Sequence, residues 1–160
     1  MPKITQEGKF NKFDGSKMKV GIVVAQFNKN VSDKLLDSAL MMCEAYNINK
    51  KNIVIHEVPG SVEIPLILNA MAKNKAGKKF DMLVALGAVI EGETKHFDYV
   101  CKIASEGILR VMLDNNIPIG FGILTCKNHA QAMERANAGG RAVEAGIQSA
   151  QIIKKYGKGK

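Results

Sequence analysis

Residues 92–96 read GETKH, between the apolar run MLVALGAVI at 82–90 and a stretch of helical periodicity. A strand end that meets a helix start offers free backbone N–H groups and the positive end of a helix dipole, which together favour an anion such as a phosphate. Thr94 adds a hydroxyl donor, and Gly92 lets the backbone approach closely. His96 follows two residues on, close enough to act as acid or base on whatever the phosphate is attached to. Glu93 would repel a phosphate through its carboxylate, so only its N–H could serve. The plainer reading is a Thr94 that merely caps the helix and a His96 that faces solvent.

Two other loops and a short helix carry weaker signals. In VPGSVE, Gly60 and Ser61 expose backbone and Glu63 offers an acceptor at a helix mouth, although a PGS alone is more often a simple turn. In AQFN, the Phe27 ring follows a buried strand and could stack on a planar ligand or plug the sheet end. Arg135, beside Glu134, lies in a short helix, where an arginine is usually solvated or ion-paired. His56 and His129 have no metal-ligand partners at usable spacing, and no carboxylate-rich metal motif occurs. Cys43, Cys101 and Cys126 are odd in number and never paired as CxxC, which argues against a disulfide framework or thiolate zinc and for reduced, buried thiols. There is no GxGxxG, GxxxxGK[ST] or GxSxG.

Such loops need a scaffold, and the chain alternates apolar runs with helical periodicity throughout, the pattern of a parallel sheet with crossover helices. Strands are expected at 20–26, 52–58, 82–90 and 119–124. The first helix takes Asn30 or Ser32 as its cap and buries Leu35, Leu36, Ala39, Leu40 and Cys43. Pro65 fits the first turn of a second helix carrying Ile64, Ile67, Leu68 and Met71. A third helix from about 97 to 113 buries Val100, Ala104, Ile108 and Val111. Gly120 and Gly122 strip one face of the fourth strand, so another element must pack closely there. Two helices, 129–136 and about 141–156, end the chain, with Gly139 and Gly140 loosening the turn between them. The basic NKAGKK at 74–79 reads as a surface loop. Residues 8–13 read as an extended piece that could pair with another subunit. The architecture is α/β, a single domain over 1–160 with an N-terminal extension at 1–19 and a basic tail at 157–160. In such a sheet the four segments AQFN, VPGSVE, GAVIEGETKH and FGILTCKN all fall at the carboxyl ends of the strands, where ligands bind.

The chain's 160 residues suit one core, and 46% apolar against 24% charged residues is ordinary globular composition. No apolar run is long enough to span a bilayer and the first residues hold no signal-like stretch, so no membrane is involved and a cytoplasmic location is expected. The 23 basic against 15 acidic residues leave a net charge of +8. Much of the excess sits at the ends and in loops, with no basic stripe interleaved with aromatics, which argues against nucleic acid and leaves small phosphorylated substrates open.

Taken together, AQFN, VPGSVEIP, GAVIEGETKHFDYV and PIGFGILTCKNHAQAMERA occur in an order and spacing that resembles the 6,7-dimethyl-8-ribityllumazine synthase family of riboflavin biosynthesis, over residues 20–156. The resemblance implies a flavodoxin-like three-layer α/β/α fold on a four-stranded parallel sheet, and a homo-oligomer, either a pentamer or an icosahedral 60-mer. It also implies no cofactor or metal, and riboflavin synthase as a possible companion. The implied reaction condenses 5-amino-6-(D-ribitylamino)uracil with 3,4-dihydroxy-2-butanone 4-phosphate and releases phosphate and water. Carried over by motif, Phe27 stacks on the pyrimidine, Ser61, Val62 and Glu63 meet the ribityl chain and ring edge, and Ala88, Val89 and Ile90 close the pocket. Glu93, through its backbone, and Thr94 hold the butanone phosphate together with Arg135 of an adjacent subunit, which also contributes Phe121. His96 is the general acid/base.

Two departures from the family pattern stand out: Gln26 and Val62 occupy positions where many members carry arginine and an aromatic. RANAGGRAVEAG is about two residues shorter than its usual counterpart and lacks that stretch's first lysine, which leaves both assemblies open and leans toward the pentamer. The rival reading from another class is a flavodoxin-like flavin-binding or carrier module.

Overall fold

The structure, a computed structural model, describes residues 8–74 and 79–157. The first seven residues of the N-terminal extension, residues 75–78 of the basic loop and residues 158–160 of the tail therefore lie outside the described part. The elements run β1 (Val20–Ala25), α1 (Lys29–Ala45), a 3-10 turn (Lys50–Asn52), β2 (Ile53–Val58), α2 (Ile64–Ala72), β3 (Met82–Ile90), α3 (His96–Asn115), β4 (Ile119–Cys126), α4 (His129–Glu134) and α5 (Ala138–Tyr156). The four strands form one parallel sheet in the order β2-β1-β3-β4.

β-Branched, uninterrupted apolar runs make β1 and β3 the central strands, since only a strand covered on both faces can do without polar alternation. All of β1 and eight of the nine β3 residues are buried. The two-residue period then divides their side chains between two cores. Val20, Ile22, Val24, Met82, Val84 and Leu86 meet α1 and α5 on one face. Val23, Ala25, Leu83 and Ala85 meet α2 and α3 on the other. Helix–sheet–helix layering follows directly, as the alternation in sequence implies.

Gly120 and Gly122 act as expected. A Cβ on Gly120 would collide with the Ala142 carbonyl of α5, and one on Gly122 would come within 2.6 Å of Leu86 Cδ2. Gly139 and Gly140 correct the reading of a loosened turn. They lie inside the first turn of α5 and are buried, and a Cβ on Gly139 would strike the Leu35 carbonyl of α1. Ser38 Oγ accepts from Gly140 N at 2.8 Å and donates to Asn137 O at 3.0 Å, tying the two helices at that point. The expected caps of α1 are also corrected, because the helix starts at Lys29, ahead of both Asn30 and Ser32, with Asn28 as its left-handed flanking residue at φ 57°, ψ 50°.

β2 is an edge strand, and its first five residues are partly or fully exposed despite the apolar sequence. Residues 8–13 form no strand within the chain. Instead the Phe13 ring meets the buried Tyr46 ring edge-on at 5.4 Å, and Gln148 Nε2 donates to Asn11 O at 3.1 Å. Among the described residues, no helix is long and apolar enough to cross a membrane, and no cluster of three or more His, Cys, Asp or Glu residues could hold a metal.

Candidate active site

The carboxyl ends of β1, β2 and β3 surround a cavity of about 420 Å³, lined by Phe27, Asn28, Gly60, Ser61, Val62, Glu63, Ala88, Val89, Ile90, His96 and Val100. Two other hollows are a smaller one beside Lys79, Asn116 and Lys154 at the amino ends of the strands and a wider, shallower one along β2 near His56 and Phe80. Neither lies where loops and helix N-termini converge, which is where an α/β sheet offers donors to a ligand.

Backbone hydrogen bonds fix the walls. Gln26 N donates to Val58 O at 2.8 Å and Phe27 N to Pro59 O at 3.1 Å, so the loop after β1 runs on along the loop after β2. The Phe27 ring, 71% exposed, lies against Gly60, where a Cβ would sit 3.3 Å from Phe27 Cδ2. Gly60 N donates to Glu63 Oε2 at 2.9 Å, which folds VPGSVE into a tight turn at the mouth of α2 and leaves Ser61 buried. Pro65 occupies the first turn of α2, where its missing N–H has no intrahelical partner to lose.

Across the cavity, β3 ends at Ile90 and GETKH leads into α3, whose first residue is His96. His96 N donates to Thr94 Oγ1 at 3.2 Å. That bond uses the oxygen as acceptor and leaves the Thr94 O–H available as a donor. Glu93 and Thr94 are exposed and stand beside the cavity rather than lining it. A Cβ on Gly92 would meet nothing within 4 Å, so none of the described residues packs against this glycine.

Phe121 and Arg135 lie apart. Phe121 pairs in register with Ala85, and three residues further along β3 stands Ala88 at the cavity wall, about 10 Å away at strand spacing. Its ring is 48% exposed on β4, the other edge strand. Arg135 follows α4, with Nη1 donating to Gln131 O at 3.0 Å and lying 3.6 Å from Glu134 Oε2. Burial pushes the Cys126 thiol up, and the nearby Arg135 cation partly offsets this. Burial likewise drives Cys43 up to about 11. Both thiols therefore stay protonated and unreactive near neutral pH, as expected of buried cysteines, whereas Cys101, on α3, is only half-buried, which corrects the expectation that all three are buried.

Nine of the twelve sequence-derived positions thus group around one cavity or its rim, counting Phe27, Ser61 to Glu63, Ala88 to Ile90, His96 and the adjoining Thr94. Asn28 and Val100 were not among them. Val100 is legible only as a helix-face residue, whereas Asn28 carries a signal, because an asparagine just before a helix is the residue type that most readily adopts the left-handed conformation after glycine.

Comparison with known proteins decides among the readings. The family model described as 6,7-dimethyl-8-ribityllumazine synthase matches residues 17–154. The chain belongs to the 6,7-dimethyl-8-ribityllumazine synthase family. It is also 42% identical over 143 residues to a 6,7-dimethyl-8-ribityllumazine synthase of Desulfovibrio desulfuricans, covering 88% of this chain and 90% of that protein. With that membership goes the activity, that of a transferase in riboflavin biosynthesis that makes 6,7-dimethyl-8-ribityllumazine.

Proposed function

We propose that the cavity binds 5-amino-6-(D-ribitylamino)uracil, that the turn at 92–96 binds 3,4-dihydroxy-2-butanone 4-phosphate, and that the two condense between them. The observation that carries this reading is the convergence of Phe27, Ser61 to Glu63, Ala88 to Ile90 and His96, from three separate strand ends, on one cavity. Phe27 supplies a flat exposed ring for the pyrimidine, and the strand-end backbone at 88–90 supplies edge donors and acceptors. Ser61, Val62 and Glu63 meet the ribityl chain.

The butanone phosphate sits on the N–H groups of Glu93 and Thr94 and the Thr94 hydroxyl, at the positive end of α3. The amine attacks the ketone and a first water leaves; phosphate is then eliminated, and the ribityl-bearing nitrogen closes the ring on the remaining carbonyl with loss of a second water. Each step needs a proton moved and the partners held in line, and His96 stands between the two substrate positions to move it. A clamp on the phosphate acts most strongly as charge gathers on the leaving group.

Arg135 and Phe121 complete the site from an adjacent subunit. What supports this is that neither lines its own chain's cavity, together with apolar residues left exposed on α2 and α3: Leu66, Tyr99, Ile103, Leu109 and Leu113. A surface of that kind fits an oligomer interface. The working form is a cytoplasmic homo-oligomer of single-domain subunits, pentamer or 60-mer, whose product passes to riboflavin synthase. The test is to mix both substrates with the protein and follow lumazine absorbance and phosphate release together. Release of neither product, with a tightly held yellow flavin on the purified protein, would replace the synthase by a flavin carrier.

A further inference from the structure

We propose that Asn28 is a positioning residue for the pyrimidine pocket: its side-chain amide holds the loop that carries Phe27 against the end of β3 and so sets the gap into which the ring slides. This rests on the reading of Phe27 as the stacking residue.

β1 and β3 pair only as far as Val24 and Leu86, whereas β3 continues beside β4 to Ile90. Beyond Leu86, the side of β3 that faces β1 has lost its strand partner, and buried carbonyls there need another donor. Asn28 Nδ2 supplies one, donating to Ala88 O at 2.9 Å across a sequence separation of 60 residues. A side chain thus continues the ladder where the backbone has turned away.

The geometry that allows this is local. Asn28 stands at φ 57°, ψ 50°, and although it flanks the start of α1 its side chain caps nothing. Its own carbonyl accepts from Val31 N and Ser32 N at 2.9 and 3.0 Å, so the backbone begins the helix while the amide is freed to cross to β3. Phe27 is pinned on either side of this point, by Phe27 N to Pro59 O at 3.1 Å and by Ser32 Oγ to Phe27 O at 3.3 Å. The Asn28 bond links this unit to the opposite wall, 88–90. Glycine would keep the left-handed backbone and lose the link. Aspartate tolerates that conformation too and keeps an acceptor oxygen, but when ionised it has no proton to donate.

The experiment uses the full-length protein and compares Asn28→Gly, Asn28→Asp and Phe27→Ala with wild type. Steady-state KM is measured for each substrate, and the Kd of 6,7-dimethyl-8-ribityllumazine by fluorescence titration well below each variant's melting temperature. Both Asn28 variants are expected to raise the pyrimidine KM and the lumazine Kd roughly tenfold, the size of one lost buried hydrogen bond, with the butanone phosphate KM within about twofold of wild type. Equal rises for both substrates, a lower melting temperature with unchanged KM and Kd, or no change at all would each overturn the proposal. So would an Asn28→Asp variant that binds like wild type while Asn28→Gly does not, since the acceptor oxygen would then be touching the ligand directly. If Phe27→Ala leaves the pyrimidine KM unaltered, the stacking reading itself fails, whatever the Asn28 variants do.

Discussion

The cavity at the ends of β1, β2 and β3 and the outlying pair on β4 and after α4 differ in how much of a site one chain supplies. The first is tied together by short backbone hydrogen bonds between neighbouring loops, from Gln26 to Val58, Phe27 to Pro59 and Gly60 to Glu63. The second does not line that cavity. Phe121 stands mid-strand on an edge and Arg135 is held by its own helix through Gln131 and Glu134. On the proposed reading, proton transfer and most of the pyrimidine pocket are supplied within a subunit, whereas Phe121 and the cation for the phosphate come from a partner. If that division is right, substitutions in the two regions must fail in different ways.

The sharpest way to break it lies in the cavity. His96→Ala should slow turnover by roughly 10- to 10⁴-fold with little effect on substrate affinity, because a positioned acid/base group contributes up to about that much and spontaneous condensation sets a floor. Stopped-flow or steady-state lumazine formation reads this directly, and wild-type turnover would remove His96 from the mechanism. Arg135→Ala should act on binding, raising the KM of the butanone phosphate roughly ten- to a hundredfold while leaving that of the uracil near wild type, since a lost charge-assisted contact costs about 1.5–3 kcal/mol. Arg135→Lys should recover only part, because the charge returns without the planar fork. Equal losses for both substrates would make Arg135 a structural residue and dissolve the comparison.

How much of this was legible beforehand follows from the range of each interaction. The central strands were readable because double-sided burial leaves β1 and β3 without a polar alternation, and Gly120 and Gly122 announced close packing through the absence of side chains on one face. Gly139 and Gly140 misled for the same physical reason. In isolation a glycine pair lowers helix propensity, and only the approach of α1 turns it into a contact surface. The exposure of β2 escaped notice because an edge strand differs from an inner one by its neighbours, not its residues. All four site loops were identifiable by position, at the ends of strands, and those after β1, β2 and β3 surround the cavity. The tether from Asn28 to Ala88 was not, since it spans 60 residues.

The glycine contacts also provide a control remote from the cavity. Gly139→Ala places a methyl against the Leu35 backbone, which cannot yield as a side-chain tip would, so the variant should lose about 1–3 kcal/mol of stability. The KM of each substrate should stay at the wild-type value, as the α1–α5 contact belongs to neither region. Chemical denaturation measures the first and steady-state kinetics the second. A selective rise in either KM would show that the site senses the α1–α5 face, and the division between regions would need redrawing.

The smallest effect is the most direct measure of where the two regions meet. Suppose His96→Ala and Arg135→Ala proteins are dissociated, mixed in equal amounts and reassembled. A boundary works fully only when the subunit offering the cavity has its His96 and the one beside it has its Arg135. Each condition holds with probability one half under random order, so about a quarter of the boundaries should be intact and activity at low butanone phosphate should approach a quarter of wild type. Neither parent alone can reach this level, because each of its boundaries lacks one of the two groups. Native mass spectrometry of differently labelled subunits would verify exchange and report the size of the ring or shell in the same sample. Recovery no greater than the average of the parents, with exchange verified, would mean that Arg135 serves the cavity of its own chain. The guanidinium would then have to leave Gln131 and Glu134 and turn toward its own chain's cavity, since no neighbour would be supplying the charge.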